Sequence, residues 1–522
     1  MAKQGMSRRR FLQAAGVGLG LSAVGIDFAL PTAQRAFAQA TRSGTLRVGW
    51  TPPVSLDPAL YNDAPDISLG VAVYDYLFTL DQKSNLVPGL ATSSKVNSDG
   101  TVFTLALQSG VKFHDGSAFT ADDVKFTFQR LMDPAIKSPA AGLFSGVDKI
   151  DVVDPLTIAF TLKAPSAVFL SSLADYHTVI LNKNTKDPKT EFNGTGPFKT
   201  SADKVDITDR ATLVANENYW KPGQPKVAGL ELIFVQEITA LVQALKGGQI
   251  DWMARIPVGL YTDLKNDNTL VASSVPTNQF PNIRIRSDKG HPGEKAEVRK
   301  AIRQIIDRDA LNKAVYQGLA TPGRDTPVGP LYGALYSEAT PFPPRDVAAA
   351  KKLLADAGYP NGLKIDFYVP HGEFNSDELA QVVQQQLKEA GIDANLQSVP
   401  ANVYYGDGPN NWLKTDLGIT NWASRPDPQS YLDLLFKSDG AYNEAHYSNP
   451  DLDKLIDQAR STVDAKQRAD VMAQIQKILI EDGPSVIPYY QPLLSASSKK
   501  VTGITVTPDP GFTSFANAAI GS

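Results

Sequence analysis

No cysteine occurs in the 522 residues of this chain. Its absence excludes disulfide staples, thiol catalysis and cysteine-held iron–sulfur or zinc sites. It also removes the residue that would carry a lipid anchor behind an export signal. Histidine is nearly as scarce: His114, His177, His291, His371 and His446 are the only five, and no two stand at a metal-ligand spacing such as i, i+4 on a helix. Neither a metal site nor a cofactor is expected. There is no dinucleotide-type glycine fingerprint after a strand and no Gly-x-Ser-x-Gly elbow. Internal repeats of fixed period and low-complexity tracts are lacking too. Positive charge is not in surplus, with 51 Lys and Arg against 55 Asp and Glu and a net charge of −4, so nothing points to nucleic acid or an anionic membrane as partner.

What is present begins with Ser7-Arg8-Arg9-Arg10-Phe11-Leu12, followed by a weakly apolar stretch from Ala14 to Ile26. Paired arginines ahead of Phe-Leu and a Gly/Ala-rich core have the layout of a twin-arginine export signal. The apolar run is about 13 residues, carries four glycines and ends at Asp27; a membrane-spanning helix needs roughly 20. No second apolar run follows. Ala36-Phe37-Ala38 and Ala38-Gln39-Ala40 both fit the small-x-small cleavage pattern, so a signal over 1–40 and a mature start near Gln39 or Thr41 are expected. Residues 1–40 hold five Lys/Arg and one Asp, which leaves 46 bases against 54 acids beyond them, a net −8. A periplasmic protein, exported and not lipid-anchored, is the expectation.

The remaining length exceeds what one hydrophobic core serves, so two domains are expected. Hydrophobic residues at 42% and charged ones at 20% fit an ordinary globular chain. Thr45 to Trp50 alternates like a strand, and a helix is expected around Ile67 to Leu77. Ser98-Asp99-Gly100 is a tight-turn signal before a strand from Val102 to Leu107. Val111-Lys112-Phe113 reads as a further short strand ahead of Asp115-Gly116. Thr120 has the chemistry of a helix N-cap, with acids in the first turn and Val124, Phe128 and Leu131 on the apolar face. Farther on, Asp346 caps a helix over 347–357 that Gly358 and Pro360 end. Leu363 to Val369, a helical stripe of Leu379, Val382, Val383, Leu387 and Ala390, and Ile392 to Val399 make one β–α–β unit with parallel strands. Asn449-Pro450 and Asp464 open two amphipathic packing helices.

Several phrases in order resemble one family. They are Asn85-Leu86-Val87-Pro88-Gly89-Leu90-Ala91, Phe113-His114-Asp115-Gly116 running into Thr120-Ala121-Asp122-Asp123-Val124, Gly194-Thr195-Gly196-Pro197-Phe198, Asn216-Glu217-Asn218-Tyr219-Trp220 and Ala244-Leu245-Lys246-Gly247-Gly248-Gln249-Ile250-Asp251. Val298-Arg299-Lys300-Ala301-Ile302, Ile306-Asp307-Arg308, Ala350-Lys351-Lys352-Leu353-Leu354 with Ala357-Gly358-Tyr359, and Tyr447-Ser448-Asn449-Pro450-Asp451-Leu452-Asp453 follow. Together they resemble the peptide/nickel-type substrate-binding proteins of ABC importers, extracellular solute-binding protein family 5, over essentially all of 44–510. The resemblance implies a bilobed α/β periplasmic binding protein-like fold of the large class, its two lobes joined by a two-strand hinge. It implies no catalytic residues, a small-molecule ligand, ABC permease transmembrane subunits as partner, and a monomer. Expected boundaries are lobe 1 over 41–279 with an extra subdomain at about 85–185, lobe 2 over 280–488, and a return of 489–522 into lobe 1. The hinge is expected near Asn278–Arg286 and Val486–Pro492. Most of the phrases read as structural: Gly194, Gly196 and Pro197 as turn residues before a strand, and His114 as a packed side chain. Some relatives capture nickel as a complex, which keeps a metal chelate open as ligand.

The segment that carries chemistry is Asn421-Trp422-Ala423-Ser424-Arg425-Pro426-Asp427-Pro428, in a turn-rich loop after the apolar strand Leu417-Gly418-Ile419-Thr420. Ligands of open α/β sheets bind beyond the carboxyl ends of strands. In peptide-binding relatives the matching Trp-x-x-Asp sets a carboxylate against the peptide's α-amino group; here the fourth position is Arg425, which inverts the charge. A guanidinium fork suits a carboxylate, a phosphate or vicinal hydroxyls. The other reading pairs Arg425 internally with Asp427 or another acid. Trp422 offers apolar area beside that charge. Asn421, Tyr61, Tyr74, Phe280, Tyr404, Tyr405 and Asn443 complete the candidate ligand-binding set, and Asn278 and Gln279 sit where the chain is expected to cross between lobes. The expected ligand is peptide-like, opine-like or a sugar conjugate, with an anionic or polyhydroxylated group. An exported carbohydrate-active enzyme is the alternative from another class, since paired carboxylates leave no spacing signature. A periplasmic chaperone and a ligand-binding accessory of a chemoreceptor are the other two.

Overall fold

The structure, a computed structural model, describes residues 42, 44–409 and 411–521; the expected export signal lies outside them. Leu46, Val48 and Trp50 of the strand Thr45–Trp50 are at most 2% exposed, because this strand lies inside a sheet rather than at its edge. It pairs in parallel with Gly229–Phe234 on one side and Trp252–Ala254 on the other. Antiparallel strands extend the sheet outward: Arg210–Ala215 beyond the first, Pro492–Ser498 and then Leu270–Pro276 beyond the second. The C-terminal segment therefore returns into the sheet that the N-terminal strand begins.

A second sheet holds Ile392–Val399, Leu363–Pro370, Leu417–Trp422, Phe280–Ile285 and Ser485–Val486 in that order. Leu363–Pro370 and Ile392–Val399 run parallel around the helix Ser376–Glu389, as the periodicity predicts. Helices start where the caps predict. Asp346 accepts the Ala349 N–H and Asp464 the Gln467 N–H, while Asn449 accepts from Asp451 and Leu452. The chain leaves the first sheet after Pro276 and enters the second at Phe280. It comes back between Tyr490 and Pro492, since Tyr489–Tyr490 still pairs with Thr321–Pro322. The return thus begins two residues later than the expected 489. The two crossings lie side by side, with the Gln491 N–H on the Gln279 carbonyl (2.8 Å) and Thr277 Oγ1 donating to the Gln491 carbonyl (2.7 Å).

Between the strands of the first sheet, the chain forms an antiparallel sheet of Ala91–Val96, Val102–Leu107, Thr157–Leu162 and Val147–Asp154. Its core is aromatic: Phe128 meets Phe144 and Phe160 edge-on at 5.0 and 5.2 Å. The helix over it, Ala121–Met132, starts at Thr120, whose N–H donates to Asp123 Oδ2 (2.8 Å).

Two local expectations are corrected and a third is refined. The helix placed at 67–77 runs over Ala64–Val73; beyond it the Asp75 carboxylate is drawn away by Thr195, Tyr219 and Trp220, which all donate to it. Val111–Phe113 is no strand, only a single bridge from Lys112 to Ala118 around the Asp115-Gly116 turn. Gly194 and Gly196 stand at the expected bend before the strand Phe198–Lys199, but crowding is what requires glycine there. A Cβ on Gly194 would stand 2.0 Å from the Val73 carbonyl oxygen, and one on Gly196 2.5 Å from the Val73 carbonyl carbon. His114 closes the same junction through the Gly194 and Gly196 carbonyls. Gly194→Ala must push backbone from backbone and is expected to cost about 1–3 kcal/mol, read as a lower urea midpoint with an unchanged slope. A wild-type midpoint would refute the crowding account.

Candidate functional site

Strand Leu417–Trp422 pairs with Phe280–Ile285 so that Trp422 lies opposite Phe280, at the point where the chain enters the second sheet. The loop that follows is fixed by its backbone. The Asn278 N–H donates to Ser424 Oγ (3.2 Å), Tyr431 to the Ala423 carbonyl (2.7 Å) and Tyr332 to the Arg425 carbonyl (2.9 Å). Asp427 is claimed by Arg468 in a two-point pair at 2.8 and 2.7 Å, and its Oδ1 also caps the Gln429 N–H. That overturns the reading in which Arg425 pairs with Asp427: the carboxylate is already saturated by a guanidinium from the helix Ala465–Asp482.

Arg425 points elsewhere. It lines a narrow cleft of about 40 Å³, with Ser424 and Pro426 on its own loop, Asp175 and Tyr176 from the turn after the antiparallel sheet, and Pro508, Asp509 and Phe512 from the C-terminal segment. Its Nε makes no hydrogen bond. Burial works against its charge, but Tyr431, Tyr176, Asp175 and Tyr332 outweigh burial and hold its pKa above the ordinary value. Burial also pushes the Tyr176 hydroxyl up to about 12, so it faces the guanidinium as a neutral group. Burial works against the Asp175 carboxylate, yet the hydrogen bond from His177 Nδ1 (2.6 Å), the His177 N–H and the Arg425 charge keep its pKa below the usual carboxylate range. Asp509 is the reverse. Burial pushes its pKa up, Arg255 and the Gly511 N–H oppose that, and Asp63 and Asp175 add to it. A wider hollow of about 500 Å³ adjoins the cleft and shares Leu80, Asp81, Thr507 and Phe512 with it. The arrangement sets the Arg425 charge beside Asp175 in an otherwise largely apolar lining, which suits a small molecule with a polar group.

The other sequence candidates fall into three groups. Trp422 is half-buried; its Nε1–H donates to Thr420 Oγ1 (3.2 Å) and Glu444 Oε1 (3.4 Å), and its ring meets Tyr431 and Tyr442. Tyr405 is 39% exposed, with its hydroxyl on Glu373 (2.8 Å). Asn421 spans Ser376 and Gln491 (2.9 and 3.1 Å), which places it at the crossing rather than free for a ligand. Tyr61, Phe280 and Tyr404 are corrected to core residues, each at most 1% exposed, while Tyr74, equally buried, lines the wider hollow with its hydroxyl unbonded among the described residues. Phe280 packs on Tyr431 and Tyr490, and Tyr61 lies against Gly70. Asn443 is corrected too: its amide is spent on the Lys437, Ser438 and Tyr447 backbone. Sequence reasoning missed Asp175, Tyr176 and Asp509, and also Trp412 and Tyr442. These two rings continue the aromatic wall from Trp422 to Tyr405 at spacings of 5.7–6.1 Å. The Pro508-Asp509-Pro510 turn and the aromatic inside Gly440-Ala441-Tyr442 were the available signals. Among the described residues no group of three or more His, Cys, Asp or Glu could hold a metal ion.

The family model for bacterial extracellular solute-binding proteins, family 5, matches residues 85–443. The glutathione-binding protein GsiB of Pectobacterium atrosepticum is 32% identical over 495 residues, 92% of this chain and 94% of that protein. Among solved structures, the ABC transporter substrate-binding protein CtaP of Listeria monocytogenes superposes with a TM-score of 0.82 at 23% identity, over 92% of this chain and all of that one. AgaA from Agrobacterium tumefaciens R10, in complex with agropinic acid, superposes with a TM-score of 0.74 at 26% identity, over 92% of this chain and 99% of that one.

Proposed function

This chain belongs to the bacterial extracellular solute-binding proteins of family 5, and on that premise we propose that it is the periplasmic binding component of an ABC importer. It captures a small solute in the Arg425 cleft and hands it to a membrane permease without chemical change. The observation that carries the reading is the cleft itself: a loop of the second sheet faces two segments attached to the first, next to the paired crossings at 277–280 and 490–492. Lobes divided at those crossings can close on a solute by small backbone rotations, and the solute's preference for the closed form supplies the shift in population. The lobes are then 44–279 with 491–521, and 280–490. The cleft has fixed charges and hydrogen-bonding hydroxyls. Glutathione, which names the relative GsiB, and agropinic acid, bound by AgaA, are polar and carboxylate-bearing. Both support a peptide-like or opine-like solute rather than an apolar one.

Protein stripped by unfolding and refolding should contract in small-angle scattering when the small-molecule fraction of the host's periplasm is added. A bound solute without contraction would refute closure. No bound solute would refute the binding reading.

Export through the twin-arginine route and a monomeric, unanchored mature protein are part of the same proposal. No described helix is long and apolar enough to cross a membrane. Replacing Arg8 and Arg9 together by Lys should leave the precursor in the cytoplasm, scored by fractionation and immunoblot. Normal periplasmic accumulation of that variant would defeat the twin-arginine claim.

A further inference from the structure

We infer that the antiparallel-sheet subdomain of the first lobe carries a latch, made by Gly100 and Ala167, that closes on Arg460 and Val463 of the second lobe and sets how far the empty protein stands open. The inference rests on the closure reading above and adds to it a second contact between the lobes, outside the crossings and outside the cleft. Gly100 ends the Ser98-Asp99-Gly100 turn between the strands Ala91–Val96 and Val102–Leu107. Ser98 and Asp99 at this hairpin tip are exposed, yet Gly100 is buried. Pro165 and the second lobe's Val463 cover it: a Cβ on Gly100 would stand 2.8 Å from Val463 Cγ2 and 3.3 Å from Pro165 Cβ. Nearby in the chain to Pro165, the Ala167 N–H donates to the Arg460 carbonyl at 2.8 Å. That carbonyl lies in the last turn of the helix Pro450–Ser461, where a helix has no internal donor to offer. The Gln458 carbonyl is met by Thr462 and the Ala459 carbonyl by Arg468, both from the same lobe. The third, Arg460, takes its donor from the other lobe.

Each half of the latch is built into the same body as one wall of the cleft. From Ala167 the chain passes through the helical turn Phe169–Ser172 to Asp175 and Tyr176, which line the cleft. Phe169 pins that turn to Phe103 and Phe160 at ring spacings of 4.9 and 5.2 Å, and Phe103 follows Gly100 on the adjoining strand. On the second lobe, Arg468 holds the Ala459 carbonyl with Nε (3.0 Å) and Asp427 with its terminal nitrogens, and Asp427 lies two residues from Arg425. A motion that parts Arg425 from Tyr176 must therefore also part Arg460 from Ala167. The latch is weak by construction. Val463 stays 39% exposed, and the Arg460 guanidinium is spent within its own lobe on Asp433. A single hydrogen bond of this kind is worth roughly two- to tenfold in the ratio of closed to open forms. That biases an empty protein without locking it. Since the solute prefers the closed form, it also tightens retention of the solute.

The test uses the mature chain, stripped by unfolding and refolding, with and without the small-molecule fraction of the host's periplasm. Hydrogen exchange at the Ala167 amide, followed by mass spectrometry, reads the latch, and small-angle scattering reads closure. In wild type the Ala167 amide should exchange at least tenfold more slowly once solute is bound. Val463→Lys wedges the contact from an exposed position, and a thermal melt checks that it is folded. It should exchange Ala167 faster than wild type when empty and lose bound solute at least threefold faster on dilution. Gly100→Cys with Val463→Cys is the second variant: the chain has no other cysteine, and Val463 Cγ2 lies close enough to a Cβ on Gly100 for a disulfide to form. Oxidised, this pair should neither take up nor release solute. Reduced, it should do both, and the reduced form carries the same strain at the left-handed Gly100 position (φ +69°). Contraction in scattering with no slowing at Ala167 overturns the latch and leaves the binding reading intact. So does Val463→Lys that holds solute as long as wild type, or free uptake by the oxidised pair. No bound solute in wild type or either variant overturns the binding reading and the latch with it.

Discussion

Glu444→Ala is expected to destabilise the protein by about 3–5 kcal/mol, the range for a buried ion pair that loses one partner. Arg284 is fully buried and Glu444 1% exposed, with the Arg284 Nε 3.5 Å from Glu444 Oε2. Asn282, Thr420 and Trp422 all donate to Oε1, at 2.7, 2.6 and 3.4 Å. Removing the carboxylate strands a buried guanidinium held otherwise by Thr415 and Tyr404 and leaves the Asn282 and Thr420 donors unmet. Burial pushes the Glu444 pKa up against the pull of Arg284, which says that the charged pair is costly to keep. The double change Arg284→Met with Glu444→Leu should therefore recover most of the loss. Urea unfolding of the two variants beside wild type checks this; Glu444→Ala within about 1 kcal/mol of wild type would contradict the account. Trp422 rests on this network, so its fluorescence should change in Glu444→Ala before unfolding begins.

Arg425→Ala is expected to weaken solute binding by about 1.5–3 kcal/mol, roughly one to two decades in Kd, the worth of a charge-assisted bond. Arg425→Lys should restore only part of it, because an ammonium lacks the planar fork. Arg425→Asp should bind worse than alanine, since it would set a third carboxylate beside Asp175 and Asp509. Stability should barely move in Arg425→Ala, as the guanidinium forms no salt bridge among the described residues. Asp427→Ala, two residues away, should instead unfold readily, because it leaves the Arg468 guanidinium, 8% exposed, without its carboxylate. Calorimetric titration with the solute that co-purifies, alongside thermal melts, separates the two roles. If Arg425→Ala binds like wild type, selection passes to the aromatic wall from Trp422 to Tyr405.

What the sequence disclosed was mostly local. The caps at Asp346, Asn449 and Asp464, and the parallel pair 363–370 and 392–399, depend on a few adjacent residues whose chemistry is plain. The site loop was legible for the same reason: Trp422 and Arg425 follow an apolar strand, and strand ends are where ligands sit. Its far wall was not. Asp175 and Asp509 lie in ordinary-looking turns remote in sequence from Arg425, and only the folded chain sets them across from it. The aromatics misled in the opposite sense. Tyr404 and Tyr405 are neighbours of one type, yet one is buried against Gly418 and Arg284 and the other is 39% exposed. Composition cannot tell a cleft ring from a core ring when both stand near strand ends. Gly194 is a related case, since a close backbone approach looks in sequence like a turn.

Native mass spectrometry of protein taken gently from the periplasm tests the central claim most directly. The account predicts a population heavier than the mature polypeptide by one small polar solute, lost on acid denaturation and sharply reduced in Arg425→Ala. Protein that flies only as the bare polypeptide, and stays bare after incubation with periplasmic extract, would contradict it.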